Sequence, residues 1–425
     1  MSRVKKDRII DGAVFMVLLA AVSAVTLVLF YRQTLGTPEH YPSDMKAYIL
    51  EMQGLDSGYS FPYPVFFKLS AFIHLFAGAE LSVAVATMLL NSLAIVIVKA
   101  GFNRLVLQGG ERRWWEGVWM SLLAVSLFFI SMLYPPRGIY LPGIKFNYLG
   151  VFSPNPFHNA TYMAARPFAI LAFLWYVRLL PAYEKGPEPV RGEGKGREAG
   201  LSDYILFSVF LLAATMTKPS FTLVMVSTAG LIMLYRLFRS GFRNFLPTVQ
   251  LGLAFVPTFL NLLYQYRGVF VPAEGVEGGV GFCLGDVWIN VCDNIPLAVC
   301  LLAAFPLLVL VLNFKELKTD TLYRFSWQLF LVGLAETFLL YEKGFRKFDF
   351  NFSWGYMYGA FFCHMGSLLL LSRKTLQVFG RARGGGEKSV GLQRLLLAAQ
   401  WLAYLWHVVC GILYFGKYMT GAMYY

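Results

Sequence analysis

Charge is scarce in this chain. Only 14% of its 425 residues are Asp, Glu, Lys or Arg, while 57% are hydrophobic; soluble chains carry about a quarter charged residues. A water-soluble fold of this length could not hide that much apolar surface, which excludes an ordinary soluble enzyme or binding module. Cysteine is scarce as well. The five cysteines form no C-x-x-C pair, which argues against a zinc module. Cys283 and Cys292 share one predicted outer loop, either as a disulfide or as small apolar fillers. A basic stripe is also missing. The net charge of +13 is spread between apolar runs, so it reads as positive-inside topology and excludes nucleic acid as a partner.

What the chain has in plenty is long apolar runs. They centre on residues 9–30, 61–78, 81–99, 117–134, 159–180, 203–217, 219–237, 245–265, 290–312, 323–341, 353–372 and 394–416. Most are long enough to cross roughly 30 Å of hydrocarbon. Residues 1–425 therefore read as a single integral-membrane domain. The basic start, with Arg3, Lys5, Lys6 and Arg8 before the first run, reads as a signal anchor. The segment Ala20–Ala24, "AAVSA", resembles a cleavage site, but the apolar run continues past it, so the anchor is expected to be retained.

The run at 61–78 contains Pro62, Pro64, Lys68 and His74. These make a poor membrane helix and a fair surface one. If it stays outside, about eleven transmembrane helices remain, and most of the 37 Lys and Arg residues fall on the side of the N-terminus, as the positive-inside rule requires. The predicted fold is thus an all-α polytopic membrane protein, N-terminus inside, with residues 31–80 forming a large first outer loop that carries juxtamembrane helices. The other outer segments are 135–158, 266–289 and 342–352, with a turn at Lys218. Segments 181–202 and 373–393, rich in Gly and charge, read as flexible inner loops.

The polar residues with chemical potential gather on the outer face. In "EHYPSDMKAYILEMQ", from Glu39, Asp44, Tyr48 and Glu51 share one helix face, and His40 stands close before the acid. Ser43 or Asp44 can cap that helix, and Asp44 can equally serve as a surface-held base. In "NPFHNATYMAARPF", Asn155 lies in a proline turn, Asn159 or Thr161 can cap the next helix, and His158 stands at its mouth. Arg166 lies two turns inside, where a charge requires a partner or water. Lys218 precedes Pro219 at an outer helix start, a favourable place for an anion. After Glu336, "YEKGFRKFDFNFSWGYMY" offers Arg346, Lys347, Asp349, Asn351 and Trp354, a mixture suited to sugars and to interfacial belts alike.

The early acid Asp44 in a long first outer loop, followed by "YPVFFKLSAFIHLFAGAELSVAVATMLLNSLAIVI" from Tyr63 to Ile97, resembles the GT-C superfamily of integral-membrane glycosyltransferases. "NPFHNATYMAARPF" and "KPSF" resemble stretches of bacterial members. The resemblance implies a cell-envelope transferase of the plasma (cytoplasmic) membrane, its active site facing the exoplasmic side. It would take a hexosyl or pentosyl group from a polyprenyl-phosphate-linked donor in the bilayer and pass it to an acceptor hydroxyl of a glycan, lipid or protein, with inversion. Asp44 would be the general base. Lys218, Arg166, Arg346 and Lys347 would meet the donor phosphate, and His40, Tyr48, Asn155, His158, Asp349, Asn351 and Trp354 would contact substrate. Many members have paired acids in this loop; Asp44 has no acidic neighbour, which counts against a bound divalent metal. The rival expectations are a transporter or flippase of lipid-linked glycans and an O-antigen-type ligase or polymerase. The shortage of basic residues in the outer loops counts against the latter.

Overall fold

The computed structural model describes residues 3–37, 40, 41, 43–107, 113–133, 152–185, 199–269, 278–381 and 387–421. Every apolar run contains a helix. In chain order these are α1 (Arg3–Leu35), α2 (Met45–Met52), α3 (Pro64–His74), α4 (Ala79–Val106), α5 (Trp114–Ser126), α6 (Ala160–Lys185), α7 (Leu201–Thr217), α8 (Ser220–Arg239), α9 (Phe245–Leu253) and α10 (Val256–Val269). They continue as α11 (Asp286–Ile289), α12 (Ile295–Leu312), α13 (Glu316–Thr319), α14 (Thr321–Leu339), α15 (Ser353–Arg381) and α16 (Glu387–Met419).

Six of these helices are long and apolar enough to cross a membrane: α1, α4, α6, α8, α12 and α16. The pair α9 and α10, bent by 54°, makes a seventh candidate. The run at 61–78 folds as α3, only 11 residues long. At 1.5 Å per residue that is about 16 Å, about half the hydrocarbon thickness. The described residues are mostly helical, as expected, and among them one ribbon departs from this: β1 (Val280–Phe282) pairs antiparallel with β2 (Leu340–Glu342). Cys283 and Cys292 are free thiols, so no disulfide joins them.

The two segments expected as flexible loops are narrower than the composition suggested. α6 runs to Lys185 and α7 begins at Leu201; residues 186–198 lie outside the described residues. α15 continues to Arg381 and α16 starts at Glu387, so most of 373–393 is helical, because "SRKTLQVF" (372–379) holds few helix breakers. Of the outer segment 135–158, residues up to 151 lie outside the described ones.

At the centre of the bundle stands α15. From Gly355 to Ser372 it is buried on all faces, as expected of a helix that is apolar all round. It packs against α14, α12, α8 and α16. The approach to α14 depends on small residues. A Cβ on Gly359 would lie 2.7 Å from Phe330 Cα, and one on Gly333 would lie 2.9 Å from Tyr356 Cα. Both obstacles are backbone and cannot swing away. Gly359→Ala is therefore expected to lower stability by about 1–3 kcal/mol, the usual cost of overpacking. A melting curve of the detergent-purified variant, compared with wild type, checks this.

Candidate functional site

Lys218 owes its position to the proline that follows it. A residue before proline is pushed out of the helical region, and Lys218 is extended, with φ −166° and ψ 125°. Its N–H still closes α7 on the Ala214 carbonyl at 2.8 Å, but its side chain turns into the protein. Nζ donates to Thr161 Oγ1 at 3.1 Å and lies 4.9 Å from the Trp354 ring centroid and 6.0 Å from that of Tyr63. The residue is 8% exposed. Among the described residues no carboxylate lies within ion-pair distance of it. Burial pushes its ammonium down to about 8, helped by Arg346 and opposed by the charge of Asp44.

Thr161, in the first turn of α6, is the node of the site. Its Oγ1 donates to Asn159 Oδ1 at 3.0 Å and lies 3.1 Å from Tyr48 Oη. Asn159 caps α6, its Oδ1 accepting from the N–H of Tyr162 at 2.9 Å. That leaves its amide Nδ2 to donate to Asp44 Oδ2 at 3.2 Å. Tyr48 Oη donates to the same carboxylate oxygen at 3.0 Å. Asp44 occupies the N-cap position of α2 without a side-chain capping bond. Its carboxylate is instead tied across the chain to α6, while remaining exposed. Tyr48, one turn on along α2, is buried, and burial with the adjacent Asp44 charge holds its hydroxyl well above the usual tyrosine range.

On the far side of Lys218 is a cavity of about 230 Å³. Its polar wall is formed by Lys218, Gln265, Glu342, Arg346, Asn351 and Trp354. Glu342 closes β2 and is buried; burial raises its carboxyl, against the lowering effect of Arg346 and Asn351. Arg346 Nε lies 3.4 Å from Glu342 Oε2 and 3.2 Å from Asp349 Oδ2. Asn351 donates to Glu342 and accepts from Trp354 Nε1 at 3.3 Å, so one amide orients both a carboxylate and the ring beneath Lys218. The opposite wall includes Leu223 of α8 and Leu262 and Tyr266 of α10. The outer faces of those two helices carry the exposed apolar residues Leu231, Leu234, Phe259, Leu260 and Leu263.

The loops that carry the site are held by two phenylalanines in the left-handed region, Phe152 at φ 58° and Phe350 at φ 54°. Such a backbone costs on the order of 1–3 kcal/mol and persists only where packing over-determines it. Their rings meet at 5.5 Å, and that of Phe152 lies 5.1 Å from Trp288.

Of the residues singled out from sequence, Asp44, Tyr48, His158, Lys218, Arg346, Asn351 and Trp354 come together here. Asp349 reaches the cluster through Arg346. His158 lies tilted against Trp354 with centroids 5.7 Å apart, and burial pushes its imidazole down to about 4. It is therefore a neutral ring near neutral pH, not a cation for an anion. Others lie apart. Asn155 is buried, its Nδ2 donating to the carbonyls of Leu127 and Ile130 at 3.1 and 2.8 Å, which is a structural duty. Arg166 is fully buried, donating to the Pro154 carbonyl at 2.8 Å and ringed by Phe128, Tyr162 and Phe361 at 5.0–5.2 Å. Its Nη2 meets a carbonyl and its guanidinium plane meets ring faces. Lys347 lies over Tyr341 and Phe348, and His40 meets Thr37 at 3.0 Å. Asn159 and Thr161 were legible only as caps, and Glu342 and Gln265 carried no sequence signal.

Among the described residues no group of three or more His, Cys, Asp or Glu is placed to hold a metal ion. Comparison with protein-family models, curated proteins and solved structures returns no match. Fold and composition define a helical chain with the apolar spans of a membrane protein. Its function has to be argued from the site.

Proposed function

We propose that this chain is a membrane glycosyltransferase that moves a sugar from a polyprenyl-phosphate-linked donor to an acceptor hydroxyl at the exoplasmic face, with inversion. One observation carries the reading. An exposed carboxylate, Asp44, and a buried cation, Lys218, are joined through the hydroxyls of Tyr48 and Thr161, and the cation borders a cavity walled by helices with apolar outer faces. A substrate with an anionic headgroup and an apolar tail fits that arrangement. The headgroup would meet Lys218, with Arg346 behind it, and the tail would leave between α8 and α10. Asp44 faces water, where a polar acceptor arrives. A single displacement needs a base on one side of the sugar and stabilisation of a departing phosphate on the other, and the two groups end the chain that runs through Tyr48 and Thr161.

The membrane topology belongs to the same reading. Counting α5, α7, α14 and α15 with the seven apolar candidates gives eleven passes, with α2 and α3 on the surface beside Asp44. The N-terminus and the Lys- and Arg-rich ends would face the cytoplasm.

The test is chemical. Purified protein is incubated with radiolabelled hexosyl and pentosyl polyprenyl phosphates and a cell-envelope extract as acceptor. At least one donor is expected to release free polyprenyl phosphate in step with sugar transfer. Binding of such lipids with no release of polyprenyl phosphate from any of them would replace the transferase with a flippase.

A further inference from the structure

The four groups Asp44, Tyr48, Thr161 and Lys218 form an unbroken chain of hydrogen-bonding atoms. The steps are 3.0 Å from Asp44 Oδ2 to Tyr48 Oη, 3.1 Å from there to Thr161 Oγ1, and 3.1 Å on to Lys218 Nζ. Its interior is dry: Tyr48 is 1% and Thr161 0% exposed. Each hydroxyl carries a single hydrogen, so the direction of the chain is set by its ends. When Asp44 is ionised it can only accept, and Tyr48 donates to it. When Asp44 is protonated it donates to Tyr48, Tyr48 must turn and donate to Thr161, and Thr161 donates onward. Thr161 has two acceptors in reach, Asn159 Oδ1 at 3.0 Å and, once Lys218 has lost a proton, the lone pair of Nζ. In the resting state the two hydrogens point outward, that of Tyr48 to Asp44 and that of Thr161 to Asn159; a proton arriving at Asp44 turns Tyr48 toward Thr161 and closes the middle link.

We infer that Tyr48 and Thr161 form a proton relay that returns the proton taken up by Asp44 to Lys218, making the carboxylate and the amine one acid–base couple. The inference rests on the transferase reading and completes its proton balance. The acceptor O–H bond breaks and its proton goes to Asp44, while the oxygen bonds to the anomeric carbon. The bond from that carbon to the phosphate oxygen breaks, and its electron pair stays on the phosphate. Lys218 gives a proton to that phosphate. Asp44 passes its proton to Tyr48 Oη, Tyr48 passes its own to Thr161 Oγ1, and Thr161 passes its own to Lys218 Nζ. The products are the glycoside and a singly protonated polyprenyl phosphate. Asp44 is again an anion and Lys218 again a cation, with no proton borrowed from water. The charged and titratable groups around Lys218 suit a donor: Asp44 draws positive charge to the site, Arg346 repels it, and the Tyr63 and Trp354 rings exclude water. Tyr48 and Thr161 are buried between the two ends and act through Asp44 and Lys218.

The experiment uses the polyprenyl-phosphate sugar that wild-type protein turns over fastest, with rates measured in mixtures of H2O and D2O. Thr161→Val and Tyr48→Phe remove a relay hydroxyl and retain both Asp44 and Lys218. Each is expected to slow turnover by about tenfold or more, less than the hundredfold lower end for losing a general base outright, with donor affinity within a few-fold of wild type. Thr161→Ser restores the hydroxyl and is expected to stay within about threefold of wild type. The rate should curve with deuterium fraction in wild type and Thr161→Ser, where several protons move together, and run straight in the two broken variants. A purely structural Thr161 would not change that curvature. Broken variants that match wild type in rate and curvature, or a straight line in wild type itself, would overturn the relay alone. Absence of turnover by wild type on every donor would remove the transferase reading and the relay with it.

Discussion

Asp44→Asn is expected to lower sugar transfer by at least about a hundredfold while donor affinity stays within a few-fold. Asparagine has nearly the shape of aspartate, and its carbonyl oxygen can accept from Tyr48 Oη and Asn159 Nδ2 as the carboxylate does at 3.0 and 3.2 Å. The tie between α2 and α6 therefore survives. What is lost is the ability to take a proton, and a positioned general base contributes typically 10²–10⁴ in rate. The contrast with a capping role is sharp because Asp44 makes no side-chain cap on α2. Asp44→Ala removes the cross-chain tie as well and is expected to lose donor affinity and some local order in addition to rate. Single-turnover measurements with saturating donor separate the two effects. An Asp44→Asn protein that keeps most of its turnover would show that the carboxylate only fastens α2 to α6.

Much of the fold was legible because membrane helices announce themselves by length and composition. Each apolar run became helix, and Pro62 and Pro64 marked the one run that folds as the short α3. Lys218 was legible for a local reason: the proline beside it dictates the backbone that turns it inward. Asp44 and Tyr48 were legible as an i, i+4 pair. Arg166 was not. Its surroundings come from Phe128 and Phe361, far away in the chain, and no local pattern distinguishes an arginine caged by rings from one that waits for a phosphate. Glu342 was missed for a similar reason. Its meaning depends on pairing with a strand some sixty residues earlier and on Asn351, whose amide joins it to Trp354. Thr161 looked like one cap among others, and its role as a junction arises only where α2, α6 and the Lys218 turn meet.

Lys218→Met is expected to weaken donor binding by roughly 10- to 150-fold and, at the same time, to leave the protein as stable as wild type or more so. The two effects have one cause. Methionine fills much of the space of the lysine stem without bringing a charge, so the loss of a charge-assisted contact to phosphate, about 1.5–3 kcal/mol, appears in the donor's Kd. In the unliganded protein the ammonium is a burden. Burial pulls it from 10.5 to about 8, and at about 1.4 kcal/mol per tenfold change in proton affinity that amounts to about 3 kcal/mol, against which stand the modest bond to Thr161 and the faces of Trp354 and Tyr63. The pH dependence has a definite sign. Below about 8 the folded and unfolded chains both hold the proton and the penalty is fully present. Between about 8 and 10.5 the folded chain releases it first, so wild-type stability rises with pH through that window and the variant lacks this rise. Donor affinity runs the other way: the phosphodiester keeps its single charge throughout, the cation that meets it is lost above about 8, and wild-type Kd should climb toward the variant's value. Melting curves and donor titrations from pH 7 to 10 on both proteins read out the two trends. A Met variant that binds donor as tightly as wild type at pH 7 would move the phosphate away from Lys218, and a marked fall in its melting temperature would mean that the lysine is a structural pillar of the α7–α8 turn.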